Sequence, residues 1–229
     1  MIDHVRDLAS VRDATERLLT AAATLDNASV AEPSRLPGWS RGHVLAHLAR
    51  NADALVNVLE GRPMYVSGDA RDIDIERDAP RPLDAQLADV RESAARFQEA
   101  ADAPADWSRT VELRNGVTDS ASRVPFRRWV EVDLHHVDLG IGYELEDLPE
   151  EFVEREIEFL ADRFADHPEV PTTRITDGTR AWSTGRDAEG VPEVTVRGPA
   201  PALLGWLAGR RDGADLTVDG GLLPTLPPL

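Results

Sequence analysis

Apolar residues in the first half of the chain recur at spacings of three and four. Leu8, Val11, Thr15, Leu18, Ala22 and Leu25 line one side of a helix predicted over residues 3–26. After the punctuation of Pro37, Gly38 and Trp39, Ser40 is placed to cap a second helix that runs to about residue 60. Val44, Leu48, Asn51, Leu55 and Val58 form its inward stripe. Residues 61–80 are dense in Asp and Arg and read as a polar loop. Pro82 opens a third helix whose apolar face is Leu83, Leu87, Val90, Ala94 and Phe97. Residues 107–123 show no period and read as a long connection. Pro125 then opens a fourth helix with Phe126, Val130, Leu134 and Val137 on one face, and Gly140 marks its end. None of these helices buries its stripe alone, so together they predict a bundle over residues 1–142.

The pattern changes after residue 148. Val153, Ile157, Leu160 and Phe164 give one more amphipathic helix, stopped before Pro168. Short β-type runs follow at 174–175, 180–183 and 193–197, the first two joined by an Asp177–Gly178 turn pair. A helix over 201–211 and a strand over 215–218 complete a small α/β domain spanning 148–229. The chain as a whole is therefore predicted to be α+β: a helical bundle followed by a smaller mixed domain.

Composition narrows the chemistry. The formal charge of −17 disfavours nucleic acid and anionic membranes as partners. There is no cysteine, which excludes disulfides, thiolate metal sites and cysteine nucleophiles. All 25 basic residues are arginine, so lysine Schiff-base chemistry is excluded as well. No apolar run approaches the roughly 18–20 residues that cross a bilayer. Asp3, His4, Arg6 and Asp7 interrupt any signal-peptide core, and a cytoplasmic monomer is expected.

One constellation carries chemistry. Glu131 and His135 stand at i and i+4, a turn apart on one side of the fourth helix, with Asp138 extending the stripe. On the second helix, His47 borders the inward stripe; His43 lies one turn before it and is an equal candidate on spacing alone. Two imidazoles and a carboxylate on facing helices suit zinc, and three protein ligands leave one tetrahedral position open for catalysis. A solvated Glu–His pair beside a satisfied core histidine is the competing reading. His136 points about 100° away from His135 and falls outside the site. Asp138 and Asn51 are placed to orient metal-bound imidazoles, with capping or solvent contacts as the equal alternative.

The segments PGWSRGHVLAHLARNADAL, MYVSGDARDIDIE, RRWVEVDLHHVDLG and GPAPALLGWLAGR resemble the mycothiol-dependent maleylpyruvate isomerase family, within the wider DinB-like metalloenzymes. The matches run in order over most of the chain. The resemblance implies a DinB-like four-helix bundle followed by a small C-terminal α/β domain. It implies His47, Glu131 and His135 as zinc ligands, choosing His47 over His43, and an arginine needed for activity at Arg210, with Arg211 adjacent. It also implies that the external thiol mycothiol supplies the sulfur, adding to the cis double bond of maleylpyruvate and leaving after rotation to give fumarylpyruvate. A dianionic substrate needs local cations, for which Arg210 is favoured and Arg71 is a further candidate, with Tyr65 shaping the pocket. Related transferases keep similar C-terminal domains; they would consume mycothiol, whereas an isomerase returns it. A bundle that binds metal without turnover is the third reading.

Overall fold

The computed structural model describes residues 2–103, 105–165, 167–185 and 193–228. Its chain divides into two compact units, Met1–Tyr143 and Glu144–Leu229.

Four long helices build the first unit: α1 (His4–Ala22), α3 (Arg41–Leu59), α5 (Leu83–Asp102) and α6 (Val124–Asp138), with the short α2 (Asn27–Ala31) between α1 and α3. α3 packs against α5 and α6, and α1 against the same two, which closes a four-helix ring. The helix ends follow local chemistry. Asp3 accepts from the Arg6 amide at the start of α1. At α3, Ser40 accepts from the His43 amide while His43 Nδ1 accepts from the Ser40 amide, a reciprocal cap. α6 carries Pro125 in its first turn and stops where Gly140 turns to a positive φ of 64°.

In this unit three local expectations differ from the structure. The segment 61–80 contains a helix, α4 (Ala70–Asp78). It was hidden because Ile73 and Ile75 stand two apart, and only Ile75 is buried while Ile73 is 62% exposed. The buried Asp78 is held by Arg77 rather than by apolar packing. Residues 107–123 form a hairpin of β1 (Thr110–Glu112) and β2 (Thr118–Ser120), each too short to show alternation. On α5, the buried positions are Gln86, Val90, Ser93, Phe97 and Ala101; Leu83, Leu87 and Ala94 are only half-buried. Gln86 is drawn inward because its amide donates to the carbonyls of Ala79 (2.8 Å) and Arg81 (3.0 Å). A Cβ at Gly42 would meet the Ala79 carbonyl oxygen at 2.3 Å, so glycine is what allows α3 to approach that turn.

The second unit holds α7 (Glu150–Phe164), α8 (Ala200–Leu207) and a four-stranded sheet in the order β4-β3-β5-β6. β3 (Thr173–Thr176) and β4 (Ala181–Thr184) form an antiparallel hairpin, turning at Gly178 with φ 93°. β5 (Val194–Arg197) lies parallel to β3, and β6 (Thr217–Asp219) antiparallel to β5. α7 packs on α8 and on β4. α8 ends four residues earlier than its sequence suggests. Gly209, at φ 68°, donates to Trp206 O (3.1 Å) and Arg210 N to Gly205 O (2.8 Å), a paired C-terminal cap that only a left-handed residue permits. The same cap explains the GWLAGR sequence and leaves Arg210 just beyond the helix.

Candidate metal centre

The middle of α3 faces the second half of α6, and there three side chains from the two helices converge. His47 Nε2 lies 2.8 Å from Glu131 Oε2, and His135 Nε2 lies 3.3 Å from the same oxygen. The two imidazoles meet edge to face, with centroids 4.6 Å apart. One donor atom from each residue falls within 4.8 Å of the others, and among the described residues no fourth His, Asp or Glu joins them. Ligands about 2.0–2.1 Å from a tetrahedral zinc sit roughly 3.3 Å from one another, so these spacings suit a small divalent ion. His47 and His135 are buried, whereas the Glu131 side chain is 32% exposed, which leaves the centre open on the carboxylate side.

Protonation favours a cation as well. Burial pushes His47 down to about 4, against the opposing pull of Glu131, so its ring is neutral and keeps a lone pair at physiological pH. Burial alone would raise Glu131, but hydrogen bonds from His135 and His47 hold it well below the usual carboxylate range. His135 is raised despite burial, because Asp138 and Glu131 bracket its ring and stabilise its charged form. The donor set, two imidazoles and one ionised carboxylate, fits zinc.

Asp138 is fully buried and takes His135 Nδ1 at 2.8 Å, which directs Nε2 toward the other donors, as its stripe position predicts. Asn51 does not reach an imidazole; its Oδ1 instead accepts from Arg128 at 2.7 Å. His43 is engaged by Ser40 Oγ (2.7 Å) and faces Glu76 (3.5 Å), so it is committed to the helix cap. His136 is buried away from the cluster and stacks on Tyr143 at 4.0 Å.

Arg71 does reach the site. Its Nη2 lies 3.3 Å from His47 Nδ1, its guanidinium sits 5.6 Å above the Trp39 ring, and it pairs with Asp72 at 2.6 Å. Tyr65 feels the charge of Arg71 and lines a cleft of about 590 Å³ between residues 61–68 and the β1–β2 hairpin. Trp39, missed by the sequence reading, tilts against His47 at 5.5 Å and walls the site. Its only signal was its place one residue before the α3 cap. Arg210 belongs to the second unit, where its Nη1 donates to Ala208 O at 2.7 Å. The adjacent Arg211 is committed to a two-pronged pair with Glu146, at 2.7 and 2.8 Å.

Comparison with known proteins places these features. Residues 11–140 match the mycothiol maleylpyruvate isomerase N-terminal domain, and residues 147–228 match the MDMPI C-terminal domain. The crystal structure of a mycothiol-dependent maleylpyruvate isomerase is similar over 99% of this chain and 97% of its own, with TM-score 0.89 and 28% identity. A histidine-to-alanine mutant of a mycothiol-dependent maleylpyruvate isomerase matches over the same shares, with TM-score 0.89 and 27% identity. A search of curated proteins gave no match. With both domain families present in order and the first covering more than half of its length, this chain belongs to the mycothiol maleylpyruvate isomerase family.

Proposed function

We propose that this chain is a zinc- and mycothiol-dependent isomerase that converts maleylpyruvate to fumarylpyruvate in aromatic-acid (gentisate) breakdown. The observation that carries the reading is the convergence of His47, Glu131 and His135 in a chain that matches the family through both domains. These three residues would hold the metal. Zinc bound there supplies a Lewis acid that brings the pKa of a coordinated thiol toward neutrality. Mycothiol is the source of that thiol, since the chain has no cysteine. Substrate and product are isomers and the thiol is returned, so the reaction needs no oxidant, reductant or net proton.

The protein's own residues then bind, orient and screen. Asp138 fixes the ring of His135, and Trp39 packs against the His47 ring. Arginine has only donors, so His47 Nδ1 accepts from Arg71 while Nε2–H faces Glu131. His47 would be one of the residues holding the metal, and Arg71, beside it, would be the cation offered to a substrate carboxylate. Arg210, in the second unit, is carried over from the family as a residue needed for activity, and Tyr65 as one that shapes the pocket. No described helix is long and apolar enough to cross a membrane, and we place the enzyme in the cytoplasm as a monomer.

An absorbance assay of maleylpyruvate tests the reading. Zinc-loaded protein should consume the substrate signal only when mycothiol is added, and the free thiol should be recovered in full. Turnover indifferent to the thiol would overturn it, and stoichiometric loss of thiol would point to a transferase.

A further inference from the structure

Arg128 is the largest fully buried side chain among the described residues, 0% exposed in the seam between α3 and α6. Its Nη1 donates to the Leu48 carbonyl at 2.9 Å and to Asn51 Oδ1 at 2.7 Å. Nε and Nη2 have no hydrogen-bond partner among the described residues. Among the described residues no carboxylate forms an ion pair with it. Glu131, one turn along α6, and Asp53 act on it only as charges at a distance. A buried cation without a contacting counter-ion costs the fold free energy, and an apolar side chain of similar volume would fill the seam at least as well. Stability therefore does not account for it.

Its placement does. Leu48 follows His47 directly, and Asn51 stands one turn beyond it on α3. Arg128 precedes Glu131 by three residues on the same stripe of α6. We infer that Arg128 is a positioning residue for the metal centre. By gripping α3 at the turn that carries His47, from the turn of α6 that leads into Glu131, it sets the register that keeps the three donor atoms together. The inference rests on the reading of His47, Glu131 and His135 as metal ligands.

The test measures zinc affinity, by competition with a chromophoric chelator, alongside the thermal midpoint of the metal-free protein. Arg128→Met is expected to bind zinc ~10-fold or more weakly, in the range seen when groups that support metal ligands are lost. Arg128→Lys keeps a donor for the same two acceptors and is expected to recover part of the loss. The double variant Asn51→Leu/Arg128→Met removes both polar partners. It should melt at or above the temperature of the unaltered chain while still binding zinc weakly. Equal or tighter zinc binding in the Met variants would overturn the inference, because a guanidinium that merely repelled the metal would improve affinity when removed. A double variant whose melting temperature falls in step with its affinity would overturn it too. If Arg128→Met fails to fold, the double variant decides by the same measurements. Zinc binding by the unaltered chain is the control: its failure would count against the functional reading rather than against Arg128.

Discussion

α6 presents polar groups on two buried faces, and they behave differently. Toward α1, Asp133 is fully buried and its carboxylate is matched inside the chain, by Arg17 at 3.1 Å and by the Trp129 indole at 2.6 Å. Toward α3, the stripe of Arg128, Glu131, His135 and Asp138 meets His47, and the central donors face one another instead of a fixed cation. Both faces set a carboxylate one helical turn from a ring nitrogen, Asp133 from Trp129 and Glu131 from His135. What separates them is charge closure: the first face pairs its carboxylate with an arginine and an indole, whereas on the second Glu131 lies between two imidazoles. Buried acids and histidines thus indicate a functional site only when their lone pairs converge without an arginine or amide to satisfy them.

The contrast is open to experiment. The largest effect is expected from His47→Ala or His135→Ala, each of which should abolish zinc retention and turnover. His43→Ala should retain metal, because that ring serves the α3 cap. Metal analysis of the purified variants checks this, and equal retention in His43 and His47 variants would mean the ligand is misassigned. Asp138→Ala should follow, with zinc affinity lower by about 10–100-fold while the fold persists, measured by chelator competition. On the opposite face, Asp133→Ala should leave zinc affinity unchanged but cost about 2 kcal/mol in denaturant unfolding, the scale of hydrogen bonds to a charged group. Loss of zinc in that variant would erase the distinction between the faces.

The smallest effect lies away from α6. Hydrogen bonding to Arg77, with Arg81 and Arg50 nearby, holds buried Asp78 below its ordinary value of 3.8. A depressed acid contributes stability that is present above its unfolded pKa and lost as pH falls through the folded one. The thermal midpoint should therefore drop on acidification below about pH 4. Asp78→Asn should show a shallower drop, and an identical slope in both proteins would remove Asp78 as a cause.

Much of this architecture was legible in the sequence because the long helices carry regular stripes and their caps are local. The helix-four pair of Glu131 and His135 was legible for the same reason. The choice between His43 and His47 was not, since both lie on α3 a turn apart. Resemblance selected His47; in the structure His47 converges with Glu131 and His135, whereas His43 is engaged by Ser40. α4 and the β1–β2 hairpin escaped because short elements held by ion pairs and edge hydrogen bonds leave no period. The buried face of α5 was misjudged because Gln86 and Ser93 satisfy their polarity against nearby carbonyls, which hydropathy cannot register. Trp39 and Arg128 matter through tertiary contacts alone.

The central claim is that His47, Glu131 and His135 hold a divalent ion with one position left for an external thiol. Replacing zinc by cobalt and recording the electronic spectrum during a mycothiol titration tests it most directly. A saturable sulfur-to-cobalt charge-transfer band, absent from the His47→Ala variant, is the expected result. A cobalt-loaded protein whose spectrum does not change with the thiol would contradict the account.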